Sequence, residues 1–431
     1  MNADINIIPN DWKEDTSIIK VIGVGGGGCN AVNYMYKQNI QGCSFIVCNT
    51  DAQALQSSEV PVKIQMGQGG LGAGTDPTAG RNAALESQDE IARKVMDCGT
   101  RMLFITAGMG GGTGTGASAV VAEVAQEMGI LTVGIVTIPF AFEGKIKIRK
   151  AMTGVARLAE HVDALLVINN EKLKQIYPDL DFLNAFSKSD DVVCNAAKSI
   201  AEIITIPGYI NTDFADVYNT LKNGNMAIMN VGQARGENRI SAAIENALNS
   251  PLINTNDVHG AKRVLLQFYF SSEHAIKMQE INQINQFIDE VGSEVEVQWG
   301  TTIDDSLGED VRVTIIATGY EVSDIPTLEE VVGKKSIDDA IIDNYSSKDE
   351  PEPKEDEKPA EIDLTQSLIT ETPAEEEETE QPAARRNDME EIEINFDDEP
   401  QPDAPKEEPV EEAKPQQSES RFKAWMRNRR S

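Results

Sequence analysis

Apolar residues fall in two different rhythms along this chain. Between residues 18 and 175, short apolar runs alternate with helical spacings, predicting strands at Ile18–Val24, Cys43–Asn49, Val60–Ile64, Met102–Ala107, Leu131–Ile138 and Ala164–Ile168. Runs apolar on both faces, separated by helices, belong to a largely parallel sheet covered on both sides, so an α/β fold is expected. Val192, Val193, Ala196, Ala197, Ile200, Ile203 and Ile204 recur at helical spacing and predict a long helix over Asp190–Ile206, ended by Pro207-Gly208. From about Gly224 the rhythm changes. Strands are predicted at Arg263–Phe270, Glu294–Trp299 and Val311–Ala317, with a helix over Glu273–Val291, the pattern of a smaller α+β domain.

The pattern fails after about Ser346. Ten prolines and the acid run Glu375–Glu378 leave too little apolar surface to bury, so a disordered linker with a coil dimension of about 50 Å is expected. At the end the polarity reverses. Arg421-Phe-Lys-Ala-Trp-Met-Arg-Asn-Arg-Arg430 places Phe422, Trp425 and Met426 at i, i+3, i+4 among bases, an amphipathic helix in waiting. The expected divisions are an N-terminal arm (1–17), an α/β domain (18–189), a central helix (190–206), a loop and following helix (207–223), an α+β domain (224–320), a linker (321–418) and a basic tail (419–431).

Composition narrows the function classes. The formal net charge is −33, which argues against nucleic acid as the main partner. Residues 347–418 hold 26 acids and 7 bases, whereas 419–431 hold one acid and five bases. Five cysteines without C-x-x-C spacing fit free thiols rather than a disulfide framework. Three scattered histidines do not suggest a His-based metal site or triad. The first residues lack a basic segment followed by an apolar run, so no signal peptide is expected, nor any membrane span.

The chemistry concentrates in glycine. Ala107 to Gly116 holds six glycines in ten residues between a predicted strand and the helix Ala117–Ala125. At such a turn, backbone N–H groups converge and the helix dipole adds positive potential, which suits a phosphate. Thr113 and Thr115 add hydroxyls. A second segment, Gly23-Val-Gly-Gly-Gly-Gly28, stands between another strand and the helix opened by Cys29-Asn30. Alone it suggests a dinucleotide fingerprint, hence an NAD enzyme, but that reading leaves the other segment unexplained. A P-loop is excluded, because no Gly-Lys-Ser or Gly-Lys-Thr follows either cluster. Together the two nests fit one nucleotide with several phosphates.

With Asn49-Thr-Asp-Ala-Gln-Ala-Leu55, Gly70-Leu-Gly-Ala-Gly-Thr-Asp-Pro77 and Asn211-Thr-Asp-Phe-Ala-Asp216 following in order, residues 15–320 resemble the FtsZ family, the bacterial tubulin-like GTPases of cell division. The resemblance implies GTP and GDP as ligands. Gly26, Gly27, Gly28, Cys29 and Asn30 would line the α- and β-phosphates, and Gly110, Gly111, Gly112, Thr113, Gly114 and Thr115 the remaining ones. Gly72, Ala73 and Gly74, within the Gly70–Gly74 segment, would close over the γ-phosphate. Asp51 and Gln53 would hold water around magnesium. Glu143 would accept the ribose hydroxyls, with Lys147 or Arg149 in the family's usual arginine role. Asn170 and either Asp190 or Asp191 would read guanine, whose adjacent N–H donors suit one carboxylate. Asp190 is favoured by the motif, and it also suits a helix N-cap.

No water-activating group lies near the glycine segments. The acids of Asn211-Thr-Asp213-Phe-Ala-Asp216 would stand a helix-length away, about 25 Å. The resemblance therefore implies head-to-tail assembly, with Asn211, Asp213 and Asp216 of one subunit completing the site of the next; as a plain alternative, Asp213 caps the following helix. It further implies a cytoplasmic protein concentrated at mid-cell, whose tail binds membrane-linked division proteins and regulators.

Overall fold

The computed structural model describes residues 17–320, apart from 97–98, 178, 180, 250–259 and 293. The N-terminal arm, the acidic linker and the basic tail lie outside the described residues.

The first six strands are β1 (Ile19–Val24), β2 (Cys43–Asn49), β3 (Val62–Gln65), β4 (Met102–Gly108), β5 (Leu131–Ile138) and β6 (Ala164–Asn169). They pair in parallel in the order β3-β2-β1-β4-β5-β6. Every residue of β1 is buried, as are all of β4 except its last. Burial on both faces is why these strands read as unbroken apolar runs. The order matters for function. β1 lies between β2 and β4, so the winding direction reverses there, and the crevice at such a switch point is where ligands bind.

Helices α1 (Gly25–Lys37), α2 (Ala52–Gln56), α3 (Pro77–Glu86), α4 (Gln88–Met96), α5 (Thr113–Glu127), α6 (Lys145–Ala159) and α7 (Asn170–Ile176) connect these strands. The cores divide by strand parity. Ile19 and Val21 pack with α1 residues Val32 and Met35, while Ile22 and Val24 pack with α5 residues Val120, Val121 and Val124. This is the period-2 alternation of a strand, used on both faces.

Both helices begin earlier than expected. Helix α1 begins at Gly25, so Gly25–Gly28 form its first turn, whereas α5 begins at Thr113 and takes in only Gly114 and Gly116 of its cluster. The long helix α8 spans Phe182–Thr205, eight residues earlier than its apolar spacing predicts, with Asp181 accepting from Asn184 N at 2.8 Å as the cap. Its first two turns carry the polar sequence Asn184–Ser189, which hides the period. At 24 residues it is about 36 Å long.

Beyond it come α9 (Phe214–Leu221), β7 (Asn225–Ala234), α10 (Arg239–Leu248), β8 (Arg263–Phe270), α11 (Met278–Val291), β9 (Glu296–Ile303) and β10 (Val311–Tyr320). β7 was not foreseen from sequence. Its Asn-Met-Ala-Ile-Met-Asn-Val-Gly run has weak alternation, and it gains strand structure by antiparallel pairing with β10. The second half extends the same sheet in the order β7-β10-β8-β9. β6 and β7 share only two residue pairs, Ala164↔Asn225 and Leu165↔Met226.

Candidate functional site

Helices α1 and α5 leave from β1 and β4, the two strands beside the switch point. Neither helix has a side-chain cap, whereas Asp51, Asp76, Asn169, Asp181 and Asp213 cap α2, α3, α7, α8 and α9. Their first N–H groups therefore remain free for an external acceptor. Gly26, Gly27 and Gly28 from one and Gly111, Gly112, Thr113 and Gly114 from the other line a single cleft of about 490 Å³. Two positive helix ends over one cavity make an anion site.

Glycine here is a requirement of backbone packing. A Cβ on Gly28 would run into the Thr106 carbonyl, and one on Gly112 would lie 2.8 Å from the Gly74 carbonyl. At Gly26 a Cβ would meet nothing, so that glycine opens only toward the cavity.

The far wall carries the polar side chains. Asn170 is buried, and its Oδ1 accepts from Ser189 Oγ at 2.8 Å. Asp190 lines the cleft and makes no hydrogen bond or ion pair among the described residues. Burial pushes its carboxyl up to about 7. Asp191 faces elsewhere, accepting from Tyr34 Oη at 3.2 Å and Lys188 Nζ at 2.6 Å. Contrary to the expectation of a helix start, Asp190 sits in the third turn of α8, and its N-cap alternative falls away because Asp181 holds that place.

Glu143 and Lys147 both line the cleft and pair with each other, and Glu143 Oε1 also accepts from Phe140 N at 2.9 Å. Arg149 is exposed and outside the lining.

The expected residues thus divide. The cleft gathers Gly26, Gly27, Gly28, Asn30, Gly74, Gly111, Gly112, Thr113, Gly114, Glu143, Lys147, Asn170 and Asp190. Cys29, Asp51, Gln53, Gly72, Ala73, Gly110 and Thr115 are outside its lining. Cys29 turns inward, its thiol toward the carbonyls of Gly23 and Cys48, and burial pushes it up to about 12. Thr115 Oγ1 accepts from Gly110 N at 2.8 Å, which sets the turn rather than the cavity. Thr113 Oγ1 bonds to Thr50 Oγ1 at 2.6 Å, tying the segment after β2 to the start of α5.

Asp51 Oδ1 accepts from Gln53 N at 2.9 Å and Ala54 N at 3.3 Å as the cap of α2. Among the described residues no three His, Cys, Asp or Glu side chains cluster to hold a metal.

Sequence reading overlooked Thr106, Thr137, Phe186, Ser189 and Val193, which complete the walls. Phe186 and Val193 stand at i−4 and i+3 from Asp190, so the correct helix start would have revealed them. Phe186 is held edge-on against Phe140, with centroids 5.3 Å apart.

The acid segment is a separate structure at the other end of α8. About 22 Å of helix runs from Asp190 to Thr205. Asn211 Oδ1 accepts from Gly208 N at 3.0 Å, closing the turn after α8. Asp213 caps α9, its Oδ1 accepting from Ala215 N at 2.8 Å and Asp216 N at 3.0 Å, while Asp216 Oδ2 accepts from Asp213 N at 3.0 Å. The plain capping alternative is therefore real. It uses one oxygen of each carboxylate, and the other has no partner among the described residues.

Comparison with known proteins fits this geometry. The Tubulin/FtsZ family GTPase domain matches residues 18–178, and the FtsZ family C-terminal domain matches 225–321. Cell division protein FtsZ of Porphyromonas gingivalis is 48% identical over 336 residues, covering 77% of this chain and 73% of that protein. Its namesake from Pseudomonas aeruginosa is 46% identical over 309 residues, covering 70% and 77%. Among solved structures, an empty FtsZ dimer from M. jannaschii is 40% identical with a TM-score of 0.64, covering 70% of this chain and 88% of that one. CetZ2 from Haloferax volcanii, 18% identical with a TM-score of 0.62 over 75% of this chain and 99% of that one, shares the fold. By these matches the chain is a GTPase that belongs to the Tubulin/FtsZ family.

Proposed function

We propose that this chain is a cell-division GTPase that assembles head to tail and hydrolyses GTP at each junction between subunits. One observation carries the reading. The anion cleft and the acid segment Asp213–Asp216 stand at opposite ends of α8, too far apart to meet within one chain. Stacking subunits so that the α9 face of one meets the cleft of the next brings them together. Such a contact does not close, so it propagates. The dimeric state named for the M. jannaschii relative agrees with self-association.

In this reading the bare N–H groups of α1 and α5 bind the phosphates and stabilise charge as it develops. Gly72 and Ala73 complete the cover that Gly74 begins. Asp190, ionised, accepts guanine's N1–H and N2–H, with Asn170 beside it and Phe186 offering a ring face. Glu143 holds the ribose and keeps Lys147 in place. From the neighbouring subunit, Asp213 and Asp216 orient a water with their unused oxygens, and Asn211 shapes the turn. The water oxygen bonds to the γ-phosphorus, the bond to the bridging oxygen breaks, and its electron pair leaves with GDP. Magnesium would come with the incoming triphosphate, whose oxygens it prefers.

The protein works in the cytoplasm at the division site. Phe422, Trp425 and Met426 of the basic tail anchor a membrane-linked division partner. Single tails bind at about micromolar strength, and a filament multiplies them by about 10²–10⁴.

The test is concentration. Specific GTPase activity should rise more steeply than linearly with subunit concentration and plateau once polymer forms. Constant specific activity down to dilutions without oligomer would refute hydrolysis at the junction. Removing residues 419–431 should leave that curve unchanged while abolishing recruitment to the division site; normal recruitment would remove the role given to the tail.

A further inference from the structure

The segment that delivers Asp213 is fastened to the sheet in two ways. Its beginning is held by backbone contacts to β9, the edge strand of the sheet. Tyr209 N donates to Thr301 O at 2.8 Å, Ile210 N to Thr301 Oγ1 at 3.1 Å, and Thr301 N to Ile210 O at 3.0 Å. Its end is held by side chains alone. Thr212 Oγ1 donates to Gln267 Oε1 at 3.0 Å, and Gln267 Nε2 donates to Thr302 Oγ1 at 2.9 Å. Thr212 immediately precedes Asp213.

This relay is buried. Gln267 is 1% exposed, Thr302 4% and Thr212 5%. Gln267 lies on β8, a strand whose other buried positions are apolar apart from the Tyr269 hydroxyl. The chain has made room for the relay. A Cβ on Gly300 would overlap Thr212 Oγ1 and lie 2.6 Å from Gln267 Oε1. A buried amide needs its partners, since an unmatched one is costly. Here the amide has one partner on the acid segment and one on the edge strand. Its planar group fixes the distance and direction between them.

We propose that Gln267 is a positioning residue for hydrolysis: through Thr212 it sets where the Asp213 carboxylate stands when the neighbouring subunit docks. This rests on the reading of Asp213 as a water-orienting group in the adjacent site. The backbone bonds to Thr301 keep the segment on the sheet without Gln267, and the capping box keeps α9 wound. What the amide adds is the aim of the junction between them. A misplacement on the order of 1 Å there costs up to about a hundredfold in rate.

The experiment compares Gln267→Met, Thr212→Val, their double variant and Thr212→Ser in the full-length chain. GTP affinity, pelleted polymer and kcat are measured at protein concentrations above the assembly threshold. Gln267→Met and Thr212→Val should each lower kcat about ten- to a hundredfold, with GTP affinity and polymer mass within about twofold of the parent. The double variant should be no slower than the slower single one, because both changes break one relay. Thr212→Ser, which keeps the hydroxyl, should stay within about threefold of the parent.

Parental kcat in either single variant overturns the proposal. So do multiplicative losses in the double variant, or losses of polymer that parallel the losses of rate. Should Gln267→Met not fold, Thr212→Val against Thr212→Ser decides the matter alone. Asp213→Ala, measured alongside, separates this idea from the one beneath it. If that variant hydrolyses at the parental rate, the shared site is wrong. If it is inert while Gln267→Met and Thr212→Val are fully active, only the positioning role fails.

Discussion

On the floor of the cleft the chain leaves side chains out; around the Asp213 segment it packs them in. The cleft floor is backbone: uncapped helix ends placed by the strands before them, with glycine where a Cβ at position 28 would meet the Thr106 carbonyl and one at position 112 the Gly74 carbonyl. The acid segment is a weave of side chains, from Asn211 closing its turn to the reciprocal Asp213–Asp216 cap and the Thr212–Gln267–Thr302 relay. Binding a phosphate needs many N–H groups at close range, and any Cβ stands in the way. Aiming a carboxylate at a site on another molecule needs a stiff mount, which short hydrogen-bonded side chains supply.

The comparison breaks most visibly at Asp213. Asp213→Ala should bind GTP like the parent, since its own cleft is remote, while hydrolysis in the polymer falls by about 10²–10⁴. Activity near parental in a fully assembled variant would show that chemistry does not use this segment.

Next come the glycines. Gly28→Ala should lose GTP binding and be destabilised by about 1–3 kcal/mol, since overpacked backbone has nowhere to move. Gly26→Ala should keep the parental Tm and weaken only GTP binding, because its Cβ meets open space. Equal losses of Tm in the two would show that the cleft's glycines are conformational rather than steric.

Asp190 gives a pH signature. Its carboxyl is raised from 3.8 to about 7 by burial, so the folded chain keeps a proton that the unfolded chain has released. Its contribution to stability is therefore full below pH about 4 and is lost as pH rises toward 7. GTP binding runs the other way, because guanine's donors need the ionised form. Affinity should fall about tenfold per pH unit below 7. Titration calorimetry between pH 5 and pH 8 checks this, and Asp190→Asn should flatten both curves. An unchanged slope in that variant would assign the proton elsewhere.

The smallest effect separates capping from chemistry. Asp213→Ala should also cost about 1 kcal/mol of stability through the lost cap, and Asp213→Asn only a few tenths, because the amide oxygen still accepts. Thermal melts of both, set beside their hydrolysis rates, would show whether activity follows the cap or the charge. A rate that tracks stability would make Asp213 a structural residue.

Local chemistry was legible in the chain itself. Apolar runs placed the first six strands to within two residues, because a strand buried on both faces tolerates little else. Glycine between strand and helix marked the two bare helix ends for the same kind of reason: the backbone must come close, and only one residue permits it. Other features were written across distance and needed the fold. The start of α8 was hidden by its polar first turns, and with it the face that sets Phe186 and Val193 beside Asp190. The choice between Asp190 and Asp191 depended on Tyr34 and Lys188 occupying one of them. β7 took its form from β10, some eighty residues later. Gln267 reads in sequence as a polar lapse in an apolar strand, and only Thr212 and Thr302, brought together from distant segments, give it a purpose. Residue type and short spacing decide what a segment is able to do, whereas burial, partnership and the direction a side chain faces arise when segments meet.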